Sequence, residues 1–211
     1  MAVSPAEPGG PRRDLKARWS ALLPDADPLF DELVARWGGD DRHYHDLRHL
    51  AESLAALDSL QGRPLEGLAL WFHDAVYGLG AGADERASAQ LAGDRLLAHG
   101  VPEPDVAEVV RLVLVTEHHS PGADDPSGAR VSDADMAILG ADPARYAESV
   151  RGIRAEYARY DDETFRRGRM AVLREFLARD RIFHTPTGLQ RWEGRARRNI
   201  AEELRLRDAA D

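Results

Sequence analysis

The stretch PLEGLALWFHDAVY, Pro64 to Tyr77, opens with a proline and runs through an almost unbroken apolar segment into a histidine–aspartate pair. Proline fits the first turn of a helix, where its missing N–H has no partner to lose. A helix that is apolar around most of its circumference is a buried one. A carboxylate at Asp74 within such a segment is expensive unless it is paired or binds a cation. The expected fold therefore places this helix at the centre, with other helices packed around it and a charged group held inside.

The flanking sequence supplies those helices. RDLKARWSALL reads as an amphipathic helix stopped near Pro24, and PLFDELVARW as a second one ended by Gly38 and Gly39. In DLRHLAESLAALDSL the apolar positions Leu47, Leu50, Leu54 and Leu57 follow a helical period. DERASAQLAGDRLLAHG closes on Gly100, a C-capping residue by type. VAEVVRLVLVTEHH has the valines of a strand, but its length and the spacing of Leu112, Val113 and Thr116 favour a buried helix. SPGADDPSGAR reads as a loop. A short helix around SDADMAILG follows, then helices in DPARYAESVRGIRAEYARY and DETFRRGRMAVLREFLARD. A last helix is expected from TGLQ, where Thr187 and Gln190 fit a capping box, through RWEGRARRNIAEEL. With no hairpin signal, internal repeat or linker, the expectation is one all-α, single-domain helical bundle over residues 12–211, preceded by a flexible tail at 1–11 rich in proline and glycine.

Composition narrows the chemistry. The chain has 211 residues, 43% hydrophobic, which is ordinary for a globular core. It has no cysteine, so disulfides, thiolate catalysis and thiolate metal sites are excluded, and any metal must be held by histidine, carboxylate and water. The net charge of −9 argues against a nucleic-acid polymer as partner. Lys16 is the only lysine, and arginine carries nearly all the positive charge. No run approaches the length of a membrane-spanning helix, and the N-terminus lacks the apolar segment of a signal peptide, so no membrane partner and a cytoplasmic location are expected.

Three of the eight histidines, His43, His45 and His49, fall within RHYHDLRHL at residues 42–50. A buried histidine needs partners for both ring nitrogens, so such crowding implies a metal site, a proton-handling site or a solvated helix end. His45 and His49 are four apart and share one face of a helix. In SDADMAILG, Asp133 and Asp135 point about 200° apart on a helix, at about 100° per residue, so only one of them faces a common centre.

His49, the pair His73–Asp74 and the later Asp135 resemble the H…HD…D signature of the HD-domain metal-dependent phosphohydrolases. YHDLRHL, WFHDAVY, DERASAQLA, SDADMAILG, IRAEY and RARRNIAEEL together resemble a small bacterial group within that superfamily, over about Arg18 to Leu206. The resemblance implies an HD-type bundle around a divalent metal ion, with His49, His73, Asp74 and Asp135 as ligands. Asp133 stands as the alternative to Asp135. Imidazole with carboxylate suits Mn, Fe, Co, Ni or Zn, or the harder Mg, better than copper. The implied reaction is hydrolysis of a small phosphorylated substrate, nucleotides included, by a water that the metal activates. His45 resembles the proton-donor histidine of the cyclic-nucleotide phosphodiesterase branch. His118, in TEHHS, falls where related proteins carry a histidine that meets substrate or a second metal, and it is favoured over His119. Glu85 stands to hold or deprotonate the attacking water, or to act only as a first-turn acid complementing its helix dipole. Arg154, in the IRAEY block with Glu156 and Tyr157, offers a bidentate phosphate contact or else an intrahelical pair with a glutamate. His43, His99 and His184 are given no chemical role.

Two other classes share this scaffold. One is a regulatory module that binds metal or nucleotide without turnover, and the other is non-hydrolytic metal chemistry. Retained ligands with phosphate release would mark the hydrolase, whereas nucleotide binding without turnover would mark the module. A homo-oligomer is compatible with all three.

Overall fold

The computed structural model describes residues 10–80 and 82–208, and the chain is all-α, with no strand among them. The tail expected at 1–11 lies outside the described residues except for its last two, which begin the first helix. In order, the helices are α1 (Gly10–Leu22), α2 (Asp27–Trp37), α3 (Leu47–Ser59), α4 (Pro64–Phe72), α5 (Ala83–Ala98), α6 (Glu103–Val115), α7 (Pro126–Asp135), α8 (Pro143–Glu156) and α9 (Asp162–Ala178). A single turn, α10 (Pro186–Gly188), leads through a π-helical stretch, Leu189–Glu193, into α11 (Gly194–Asp208). A 3-10 turn, Met136–Gly140, extends α7.

The apolar segment does form the centre. Leu68, Ala69, Leu70, Trp71 and Phe72 are each at most 3% exposed, and α4 packs against α3, α6 and α7. Trp71 meets the edge of Trp19 at 5.2 Å and of Phe30 at 5.8 Å, geometry that aromatic quadrupoles favour. The buried hydrophobics form one continuous cluster from Leu15 to Leu204. A buried pair ties α4 to α7: Glu66, 1% exposed, accepts from Arg130 at 2.5 and 2.9 Å and from its own helix start at Arg63 N.

Three boundaries differ from the sequence reading. First, α4 stops at Phe72 instead of running through Asp74. His73 N still reaches Ala69 O at 2.9 Å, but the next bond tightens to Ala75 N–Phe72 O. The pair thus lies where the helix unwinds, and Asp74 is freed from the helical surface. Second, α7 begins at Pro126, inside the stretch read as loop, because Asp125 caps it by accepting from Gly128 N. Third, the N-terminal cap of the last helical segment is Thr185, accepting from Gly188 N at 2.9 Å, not Thr187. Pro186 fixes the first helical position after Thr185.

Candidate metal centre

Four side chains from three helix ends meet beside the central helix. His49 stands in the first turn of α3, whose start is fixed by Asp46, which accepts from Arg48 N and His49 N. His73 and Asp74 follow the end of α4, and Asp135 closes α7. His49 Nε2 lies 3.0 Å from Asp135 Oδ1 and 3.3 Å from His73 Nε2. His73 Nε2 lies 3.3 Å from Asp135 Oδ1 and 3.1 Å from Asp74 Oδ2. Donor atoms of His49, His73 and Asp135 all fall within 4.8 Å of one another, and Asp74 Oδ2 stands beside this group, 3.8 Å from His49 Nε2.

The tautomer of His73 is fixed by its surroundings. Its Nδ1 lies 2.8 Å from Leu70 O, and a carbonyl can only accept, so Nδ1 carries a proton and Nε2 is the nitrogen turned inward. Trp37 backs both imidazoles, with ring centroids 5.3 Å from His73 and 6.2 Å from His49. Its indole N–H donates to Trp71 O at 3.0 Å. Burial opposes charge on His73, but the facing carboxylates of Asp74 and Asp135 outweigh it and raise its pKa well above the usual value. Burial likewise opposes charge on the two aspartates, and the histidines around them reverse it, holding both carboxylates below their usual range. Two imidazole nitrogens and two carboxylates thus converge on one point, where a divalent cation could take the place of the proton that His73 holds against Asp74 and Asp135.

Two further polar atoms point the same way. Glu85 Oε2 and His119 Nδ1 are buried without a hydrogen-bond partner. Burial, with Asp74 and Asp84 nearby, raises the pKa of Glu85. His119 Nε2 lies 3.7 Å from Asp135 Oδ2, and burial lowers the pKa of this ring. The backbone explains which member of the pair faces inward. His119 adopts φ of +48°, uncommon for a residue with a Cβ. Its carbonyl is gripped by Arg179 at 3.1 Å and by His184 Nε2 at 3.2 Å. This turn sends His118 outward, with 77% of its side chain exposed. The sequence preference for His118 is corrected accordingly: His119 is the histidine at the site. His184 also gains a task the sequence did not suggest.

Asp133 is fully buried but engaged elsewhere. It accepts from His184 N at 2.7 Å, Thr185 N at 2.8 Å and Thr185 Oγ1 at 2.7 Å. It anchors the segment before α10, and Asp135 alone of the two faces the cluster.

His45 sits at the edge of the cluster, its ring 5.7 Å from that of His49. Its Nδ1 lies 2.7 Å from Glu156 Oε2. Glu156 is fully enclosed. Its Oε1 accepts from the backbone N–H of His43, Tyr44 and His45 at 2.9, 2.8 and 2.8 Å, and its Oε2 also accepts from Tyr77 Oη at 3.0 Å. Despite burial, these donors, His45 foremost, lower the Glu156 pKa to about 2. His45 is raised in turn, its burial outweighed by Asp74 and Glu156. With Nδ1–H held by a carboxylate, His45 Nε2 is free toward the cavity. Gly152 makes the docking of α8 on this loop feasible, because a Cβ there would lie 2.5 Å from His43 O.

Arg42 joins the two halves of the site, donating to His45 O and Asp74 O at 2.7 Å each. Its guanidinium lies 5.3 Å from the ring centroids of both Trp37 and Tyr77. Neither Arg42 nor Tyr77 was singled out from sequence. Glu156 stands out in sequence only as part of the IRAEY block, because a carboxylate 111 residues from His45 carries no local signal of partnership. Arg154 faces away from the cluster. It pairs with Asp162 at 2.5 Å and donates to Tyr157 O and Tyr160 O at the end of α8, so its guanidinium is occupied as a helix-end clasp.

The cluster forms one end of a cavity of about 570 Å³ running between α8 and α9, a size typical of small-molecule sites. His45, His49, Asp74, Glu85, His119 and Asp135 all line it. Comparison of the chain with family models, with curated proteins and with solved structures finds no match.

Proposed function

We propose that this chain is a metal-dependent phosphohydrolase of the HD type, cleaving a small phosphate ester with water. The observation that carries the reading is that His49 Nε2 and His73 Nε2 each lie within 3.0–3.8 Å of Asp135 Oδ1 and Asp74 Oδ2, at one end of a cavity. These four would hold a divalent ion, which when bound lowers the pKa of an attacking water and polarises a phosphoryl oxygen.

The chain's own groups supply the proton handling. Glu85, unpartnered at Oε2 and raised in pKa, accepts the proton of the attacking water. His45, held through Nδ1 by Glu156, presents Nε2 and protonates the leaving alcohol oxygen. Arg42 keeps the backbones that carry His45 and Asp74 in register.

The test begins with metal content. Purified protein should carry about one equivalent of a divalent ion by elemental analysis, and Asp74→Ala should lose it. His45→Ala should keep the metal and release little phosphate. Absence of metal in the wild type, even after incubation with Mn, Co, Ni and Zn, would overturn the reading.

A further inference from the structure

We infer that the substrate is a monophosphate ester of an apolar alcohol, with the hydrocarbon lying between α8 and α9, and not a nucleotide. The phosphate end of this inference rests on the phosphohydrolase reading, whereas the hydrocarbon end rests on the cavity walls.

Beyond the polar cluster the cavity is walled by Ile153 and Tyr157 from the α8 side and by Phe165, Val172, Leu173 and Phe176 from α9. The α9 residues recur at helical spacing, so a whole helix face is committed to the cavity. Tyr157, Tyr160 and Val172 line the same cavity and are 37%, 39% and 46% exposed, among seven large hydrophobics left exposed in the described residues. Apolar surface gathered at one mouth marks a site for an apolar partner. Gly168 adds to this. It lies inside α9, where alanine is the better helix former, and a Cβ there would meet nothing within 4 Å. Packing does not require the glycine, and at this exposed position it leaves the rim of the cavity open.

The polar inventory argues against a nucleotide. Among the described residues Arg169 is the single arginine lining the cavity, and it is committed to Glu203 at 3.1 and 3.2 Å. The hydroxyls of Thr116 and Ser149 donate inward, to Val113 O at 2.8 Å and Tyr146 O at 2.7 Å. The other lining hydroxyls, on Tyr44, Tyr157, Tyr160 and Thr164, are few against the hydrogen bonds that a base edge and ribose diol would give up to water. A second or third phosphate would meet the carboxylates of Glu85 and Glu117, both of which line the cavity.

The experiment is calorimetric titration of butyl-, hexyl- and octylphosphonate, whose carbon–phosphorus bonds resist hydrolysis, with AMP as comparator in EDTA. Each added methylene should tighten binding by about four-fold, from about 0.8 kcal/mol per buried methylene, both with Mn²⁺ and in EDTA. Gly168→Leu fills the cavity from a position with room for a side chain. It should weaken octylphosphonate by ten-fold or more and butylphosphonate by less than two-fold, with its thermal midpoint at or above that of the wild type. A flat chain-length series, or AMP binding more tightly than octylphosphonate, would overturn the inference. A chain-length series that persists in a protein that neither binds Mn²⁺ nor releases phosphate from any ester would overturn the hydrolase reading alone.

Discussion

Replacing Glu156 by glutamine tests the link between fold and site most directly. The enclosed carboxylate takes five hydrogen bonds, three from backbone N–H groups and one each from His45 and Tyr77. Glutamine retains one oxygen for the backbone donors but places an NH₂ opposite His45 Nδ1–H and Tyr77 Oη. Donor then faces donor, unless His45 changes tautomer and carries its proton on Nε2 into the cavity. The carboxylate pKa falls from 4.5 to about 2, which corresponds to about 3 kcal/mol of stability by proton linkage. Because the folded pKa is depressed, that contribution is present above the unfolded value of 4.5 and is lost as pH falls through about 2. In urea titrations of metal-free protein, Glu156→Gln should therefore be about 3 kcal/mol less stable than the wild type at pH 7, and the gap should close toward pH 2. The variant should also lose most turnover while keeping its metal, because His45 is no longer held in the required tautomer. Equal stability at pH 7, or a gap that stays constant between pH 7 and pH 2, would refute the account of this carboxylate.

The two aspartates of α7 should separate cleanly. Asp135→Asn should abolish metal retention, whereas Asp133→Asn should keep the metal and cost about 2 kcal/mol in urea unfolding through its lost acceptor contacts to His184 and Thr185. Metal loss in the second variant would reverse the assignment. His118→Ala should leave metal affinity and turnover within two-fold, and His119→Ala should reduce one or both by roughly ten- to a hundred-fold, as removal of groups around metal ligands does. The same outcome for both would refute the inward placement of His119. Glu66→Ala should cost about 3–5 kcal/mol by leaving Arg130 uncompensated, read as the shift in the guanidinium unfolding midpoint. A cost below about 1 kcal/mol would show that the pair behaves like a surface one.

What was legible from sequence follows the range over which each signal acts. The apolar circumference of Leu68–Phe72 and the i, i+3, i+4 spacing of Leu47, Leu50, Leu54 and Leu57 are local, and they carry the helical class and the central position of α4. The end of α4 is not legible in the same way, because apolar Ala75 and Val76 continue the pattern after the helical ladder has tightened at Phe72–Ala75. Thr187 and Gln190 matched a capping pattern, but Thr185 has the side-chain contact that decides the matter, to Asp133 some 52 residues earlier.

The same distinction runs through the site. The His73–Asp74 pair draws attention because its charge stands against an apolar background, whereas Asp133 and Asp135 look alike until the segment at 184–185 claims one of them. His118 and His119 differ only in a left-handed turn held by Arg179 and His184, from segments about 60 residues away. Glu156 and Arg42 work by gathering backbone groups, and no residue pattern marks a side chain for that duty. Because each candidate ligand stands at a helix end and not within a helix, the spacing of the cluster is set by how α3, α4 and α7 pack. The clamps Glu66–Arg130 and Arg42, which bind those elements to each other and to the His45 loop, are therefore as necessary to the geometry as the four candidate ligands.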